Sequence, residues 1–412
     1  MKFVNRYSTV LFCCLVHILT QDLYAQTSKY IAELEYNDVK ENYLNPDNIQ
    51  LLPYLNINNV FLYNSSKKVL KGSLNWNLRL GLNNQFIKDN TENRYLDKHS
   101  LTFDPLELFY QKSIGNFTFS AGRKRIKWGV GYVASPTDIV SSPPPPEDPS
   151  DRLFKIKGTD LIEIAYVSKN AQYDLYLMPA TNANTVFFKD HSAAIRYYRN
   201  ISLFDVSLVG RADLAGTYQA GINLTTSVGS NLEIHGDGII VSRSKNKYPP
   251  YFEEKKTATF RLLGGINCSP RSNYNIVLEY FHIGEGYSSK EWNQYHDLIS
   301  FYSAQRSFPT LVDSSTDAIN TLYDNTYIPM RRNFIFARFL RSNLFVPKLD
   351  VEWITFGGLD EIGSLNRFGV YYKFKSRYDL YAHYQFLANS SNSDFNLFGY
   401  AQTARIGIKI SL

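Results

Sequence analysis

Residues 73–83 read Ser73-Leu74-Asn75-Trp76-Asn77-Leu78-Arg79-Leu80-Gly81-Leu82-Asn83. The even positions are all apolar, while Asn75, Asn77, Arg79 and Asn83 fall on the odd ones. Successive side chains of an extended chain point to opposite faces, so this stretch is a strand with one apolar and one polar face. The same division returns at 378–387, where Tyr378, Leu380, Ala382, Tyr384 and Phe386 oppose Asp379, Tyr381, His383 and Gln385. It returns again at the end of the chain, where Ala404, Ile406, Ile408, Ile410 and Leu412 oppose Arg405 and Lys409.

Outward from these stretches, alternation marks strands near 29–36, 54–63, 72–86, 101–111, 117–128, 159–168, 172–179, 192–199 and 203–211. It continues near 216–225, 231–242, 258–267, 273–283, 331–341, 348–356, 366–374, 378–387 and 403–412. The total is eighteen, an even number, as an up-and-down barrel requires. Connections after even-numbered strands are short (64–71, 112–116, 169–171, 200–202, 226–230, 268–272, 342–347, 375–377). Those after odd-numbered strands are mostly much longer, including 129–158 and 284–330, with 212–215 the exception. Bacterial barrels place short turns at the periplasmic end and long loops outside, which puts both termini in the periplasm. A soluble sandwich or propeller also alternates, but explains neither the one-sided loop lengths nor the lack of an internal repeat. Asn-rich links at 87–94 and 388–396 and the tetraproline at 143–146 read as loops.

The first residues predict a secretory signal: Lys2 and Arg6 precede an apolar run from Val10 to Leu19, with cleavage expected after Ala25. The expected domains are therefore a signal peptide, 1–25, and an outer-membrane β-barrel, 26–412. Cys13 and Cys14 lie inside the apolar run behind bulky Phe12, which disfavours lipidation. Losing Lys2, Arg6 and Asp22 takes the formal charge from +6 to +5, and leaves Cys268 as the remaining cysteine, so no internal disulfide is required. Past Gln26 no stretch approaches the roughly 20 apolar residues of a membrane helix. Yet 31 Tyr and 27 Phe in 412 residues are many for a chain with negative mean hydropathy. A barrel reconciles the two, because only alternate residues meet lipid and aromatics gather in interfacial girdles. The expected fold class is all-β: a transmembrane antiparallel up-and-down β-barrel of about 18 strands (16–18). For closure, Glu33 and Glu35 of the first strand and Arg405 and Lys409 of the last are expected to point inward across the seam.

The segment Gly122-Arg123-Lys124-Arg125-Ile126-Lys127-Trp128-Gly129-Val130-Gly131 breaks the pattern. Phe117, Phe119 and Ala121 share parity with Arg123, Arg125 and Lys127, and a cation on a lipid face costs roughly 2–4 kcal/mol at mid-depth. Either the strand leaves the membrane by residue 122, or a bulge near Gly122 switches the faces. With a bulge, the three cations line the lumen and Trp128 turns to the interface. The Gly-Arg-x4-Trp-Gly-x-Gly strand end, followed by Pro136-Thr137-Asp138 and a Pro-rich acidic loop, resembles a group of porin-like outer-membrane proteins, similar to the alginate-export and phosphate-selective porins. The motif covers about 121–160, and the tetraproline departs from the pattern. The resemblance implies that Arg123, Trp128, Gly129, Pro136 and Asp138 form a fixed strand–loop corner facing a pore.

The candidate pore or constriction residues are thus Arg123, Arg125, Lys127, Trp128 and Asp138. The cations form a basic rung there, or pair with Asp138, Glu147, Asp148 or Asp151 and pin the loop. Enzyme signals are weak, since His99, His191, His235, His282, His296 and His383 show no metal-site or nucleophile-base spacing. Glu233, His235 and Asp237 share an inward face that could hold a metal or be solvated wall. No cofactor, no metal, no enzymatic activity and no nucleic-acid binding are expected. The expected partners are outer-membrane lipid, small hydrophilic solutes and the barrel-assembly machinery. Passive passage of small hydrophilic, anionic solutes is the expected role. The alternative is a closed barrel for surface attachment or polysaccharide export or anchoring, and loop 284–330 is long enough to plug the lumen. On strand parity the inward charges are balanced, with Arg79, Arg196, Arg211, Arg261, Arg338 and Arg367 facing Glu163, Asp174, Glu279 and Glu352 among others.

Overall fold

The computed structural model describes residues 27–38, 54–89, 94–141, 151–181, 184, 190–244, 246–251, 253–254, 257–306, 308–324, 331–388, 393–397 and 401–412. The expected signal peptide, the tetraproline, Glu147 and Asp148 lie outside the described residues. The barrel strands are β1 (Thr27–Asp38), β2 (Tyr54–Val69), β3 (Gly72–Asp89), β4 (Arg94–Ile114), β5 (Phe117–Lys124) and β6 (Thr159–Val167). Next come β7 (Ala171–Met178), β8 (Ser192–Ile201), β9 (Phe204–Asp213), β10 (Tyr218–Val228), β11 (Leu232–Val241) and β12 (Thr259–Cys268). The last are β13 (Tyr274–Ile283), β14 (Asn333–Arg341), β15 (Leu349–Gly358), β16 (Gly363–Phe374), β17 (Tyr378–Ala388) and β18 (Gln402–Ser411). Each pairs antiparallel with its neighbour in sequence, and β18 pairs with β1, closing an eighteen-stranded barrel. Closure leaves no open edge at the seam, where Glu35 stands opposite Arg405 and Ile31 opposite Lys409.

The alternation seen in the sequence sorts side chains as the barrel needs. Phe119, Ile164, Leu175, Leu224, Trp353 and Leu380 are exposed on the outer face, whereas Glu163, Asp174, Asn223 and Glu352 are buried inside. Two strands depart from the expected phase. In β4, Asn77 pairs with Glu107 but Leu78 with Pro105, so Leu106 is an extra residue in a bulge. Its side chain is wholly buried on the lumen side, and Pro105, which has no N–H to give, sits where the ladder is interrupted. The other departure is β5, expected to run to Trp128 but ending at Lys124. Its register with β4 and β6 is unbroken through Gly122, so the face switch lies in β4, and no bulge carries Arg123 inward.

The connection between β13 and β14 is more than a loop. Ser288 caps an α-helix, α1 (Ser289–Gln305), in a capping box with Glu291, and α2 (Val312–Asp324) returns beside it. Tyr287, Trp292, Tyr295, Ile299 and Leu322 form a small core there with Tyr248 from a neighbouring loop.

Candidate functional site

Over 125–141 and again over 151–158 the chain leaves the wall and runs inside the barrel, which its contacts with inward-facing strand residues establish on three sides. Trp128, Ile139 and Val140 pack on Leu161, Tyr176, Met178, Val209 and Ile239 of β6, β7, β9 and β11. Val133 packs against Leu263, Phe281, Phe336 and Phe356 of β12–β15. Leu153 joins Ile31, Val60, Leu62 and Leu106 of β1, β2 and β4. Burying these apolar groups removes them from water and fixes the segment against the wall.

Polar latches set its register. The Asp237 carboxylate accepts the Thr137 backbone N–H at 2.9 Å and the Thr137 hydroxyl at 2.9 Å, and also bonds Ser135 Oγ. Asn223 Nδ2 donates to Trp128 O at 3.0 Å, and the Tyr132 N–H donates to Glu279 at 2.7 Å. On the other side, the Arg152 guanidinium reaches Glu33 at 2.6 Å and Glu35 at 3.1 Å, while Arg79 Nε donates to Leu153 O at 2.9 Å. Two glycines permit the path. A Cβ on Gly158 would lie 2.6 Å from the Lys124 backbone, and Gly122 has φ +125° with Leu108 O only 2.3 Å from where its Cβ would stand.

The candidate residues end in different places. Arg123 has outward parity, paired in register with Asp160 and bonded to it at 2.7 Å, with Pro105 O accepting a second bond at 3.0 Å. The expected inward rung of Arg123, Arg125 and Lys127 is therefore not formed. Lys124 is the inward cation of β5, at 2.5 Å from Glu163. Arg125 and Lys127 belong to the inserted segment: Arg125 lies 3.7 Å from Asp151 and also bonds Ile156 O, and Lys127 Nζ donates to Gly131 O at 2.9 Å. Trp128 is 4 % exposed against Tyr176, inside rather than at a lipid interface. Asp138 accepts the Trp128 N–H at 3.4 Å. Burial pushes its carboxyl above the ordinary aspartate range, against the lowering effect of its bonds to Ser141 and Trp128. At the seam, Arg405 Nε lies 2.7 Å from Glu35, whereas Glu33 goes to Arg152 and Lys409 lies over the Phe154 ring.

Strand-borne charges of the lumen wall largely neutralise one another. Arg338 and Arg367 share Glu352, Arg196 pairs with Asp174 and Arg261 with Glu285 of the following loop, while His235 Nε2 and Glu279 are hydrogen-bonded at 2.9 Å. His235 and Asp237 thus serve the wall and the latch, and no metal-holding group of His, Cys, Asp or Glu occurs among the described residues. On the described part of the inserted segment the balance differs: Lys127 and Lys155 are exposed without an ion pair, Lys157 is exposed but lies 2.6 Å from Asp104 of β4, Arg125 is partly exposed, and Asp151 is mostly covered. Sequence reasoning missed Lys124, Arg152, Lys155, Lys157, Asn223 and the latch role of Asp237. No sequence signal pointed to Arg152, because Glu33 and Glu35 are matched in number by Arg405 and Lys409 of the last strand.

A closed barrel whose passage is narrowed by an inserted segment has the architecture of a porin-type channel. Solved structures share it. Acinetobacter baumannii OccAB1 superimposes with TM-score 0.53 at 11% identity over 94% of this chain and 96% of that one. Pseudomonas aeruginosa OccK7 (OpdD) gives 0.54 at 8% identity over 94% and 99%. The outer membrane protein OprD of Pseudomonas aeruginosa gives 0.50 at 10% identity over 95% of each chain. At such identities the likeness is one of fold. No protein-family model matches the sequence, and no curated protein matches it.

Proposed function

We propose that this chain, after removal of residues 1–25, spans a bacterial outer membrane as a porin-like channel. On this reading it passes small hydrophilic solutes, with a mild preference for anions, past a constriction built from the inserted segment. One observation carries the reading: among the described residues, the segment held against three sides of the lumen wall presents exposed cations, Lys127 and Lys155, that enter no ion pair, whereas the wall charges around it are largely paired. The outer-membrane placement is supported by the apolar outer face and by the shared fold of OprD, an outer membrane protein. Fixed charge at a narrow point biases which ions enter, and the bias weakens as salt shortens the screening length to about 10 Å at 0.1 M.

The test is the reversal potential in a salt gradant across a planar bilayer, measured for the wild type and for Arg125, Lys127, Lys155 and Lys157 all changed to Gln. The expected result is anion preference in the wild type, lost in the variant and reduced at high salt. An unchanged reversal potential would remove the segment from selectivity. The same three-sided packing also favours a second reading, a closed barrel for surface attachment or polysaccharide anchoring, and absence of conductance from correctly inserted protein would select it.

A further inference from the structure

The barrel end that carries the short turns is strongly basic. Four cations face outward there: Lys67 of β2, Lys112 of β4, Arg199 of β8 and Arg341 of β14, each on the face that carries lipid-side residues. More stand at the turns themselves, including Lys71, Lys169, Arg271, Lys375 and Arg377, all exposed. None of these nine enters an ion pair among the described residues. The acids nearest this end, Asp205, Glu233, Asp350 and Asp379, instead stand on the inward face of their strands.

The cations are interleaved with aromatic rings of the outer face. The Arg341 guanidinium lies 5.1 Å from the Tyr274 ring centroid, and Lys375 Nζ lies 5.4 Å from that of Phe374. Arg199 follows Tyr197 by two residues on the same face, and Tyr197 stacks in a row with Tyr173, Tyr166 and Phe117. Such a row marks the membrane–water interface of a barrel. Cations set among it stand at headgroup depth, with their stems along the apolar belt and their charge toward water.

We infer that this ring binds the phosphates of anionic phospholipid headgroups, phosphatidylglycerol or cardiolipin, in the leaflet at the short-turn end. The inference rests on the membrane-spanning reading. Electrostatic attraction of juxtamembrane cations to an anionic leaflet is the physical basis, and the outward, interfacial placement favours lipid over a soluble acidic polymer.

The experiment uses the full chain in phosphatidylcholine vesicles, with quenching of tryptophan by brominated phosphatidylglycerol compared with brominated phosphatidylcholine. Trp353 is 56 % exposed on the outer face and Trp76 shares the outward face of β3, whereas Trp128 and Trp292 are shielded. The expected result is a relative binding constant favouring phosphatidylglycerol by about fivefold, the factor one interfacial cation provides. It should fall toward unity when Lys67, Lys112, Arg199 and Arg341 become Gln, and persist when Lys and Arg are interchanged at the same positions. Equal binding of both lipids, or a preference untouched by the Gln changes, would overturn the inference. So would binding of soluble dextran sulfate to the ring without any lipid preference. Absence of quenching by either lipid would overturn the membrane-spanning reading itself, an outcome distinct from equal quenching by both.

Discussion

Asp360 shows how much a single side chain can organise where a strand begins. It sits in the tight connection between β15 and β16 and accepts the backbone N–H groups of Arg332 at 2.8 Å and Asn333 at 2.9 Å, together with Asn333 Nδ2 at 2.7 Å. Burial works to raise its pKa, but the bonds from Asn333 and Arg332 and the charge of Arg331 outweigh it and hold the carboxyl below the ordinary aspartate range. A carboxylate with a lowered folded pKa contributes stability that is fully present above its unfolded pKa, and the contribution is lost as pH falls through the folded value. Exchange protection of the Arg332 and Asn333 amides should therefore hold at neutral pH and fail in the acid range below pH of about 4. In Asp360→Asn the protection should be weaker throughout and lack this acid step. A pH-independent protection in the wild type would show that the carboxylate does not set the start of β14. Such a role could not be read from the sequence, because Asp360 is one acid in a short polar link and its three donors lie 27 to 28 residues away.

At the scale of elements, the two longest connections behave differently, although loop length alone places both outside. The described residues of the 284–332 connection build a core around Trp292 and Tyr295, to which the neighbouring loop adds Tyr248, and none of these core residues belongs to the lumen wall. The described residues of the 125–158 segment form no such core. Its apolar residues Trp128, Val133, Ile139 and Leu153 are each buried against the wall instead. The amphipathic helices and the inserted segment therefore predict different exposure. Trypsin added to intact cells should cut in the helical hairpin, at Lys290 or Arg306, while Arg125, Lys127 and Arg152 are spared. Cleavage at Arg152 with an intact hairpin would place the segment outside the barrel. The sequence marked this region through its phase break and its cations, and left two accounts of the break, a strand that leaves the membrane by residue 122 or a bulge near Gly122; the strand ends at Lys124 with its register unbroken. The register shows the face switch in β4, where Pro105 and Leu106 gave a local cue that alternation counted on β5 alone could not weigh.

For the whole molecule, closure is the step on which everything else depends. The seam joins strands separated by the length of the chain, and Arg405 bridges Glu35 of β1 and Gln385 of β17 there. Removing one partner of a buried pair leaves a charge without compensation, at a cost of roughly 3–5 kcal/mol. Arg405→Glu should lower the temperature at which the folded barrel converts to its slower-migrating unfolded form on semi-native gels. Glu35→Arg combined with Arg405→Glu should recover much of that loss, although Arg152 would then face an added cation. No recovery would mean that the pair does not hold the seam.

The sequence by itself determined the barrel: strand number, the inward and outward faces of the strands other than β4 and the end of β5, the short-turn end and the meeting of first and last strands. Those features follow from period-two alternation and from the rule that every backbone polar group at membrane depth needs a partner, which are local or closure constraints written residue by residue. Only the tertiary structure decided what fills the lumen. Whether a loop stands outside or folds in depends on the wall it meets, and Leu153 meets Ile31, Val60 and Leu106 while Asp237 meets Ser135 and Thr137 from far along the chain. Such contacts have no period in the sequence, because their partners are brought together by closure of the barrel and not by spacing along a strand.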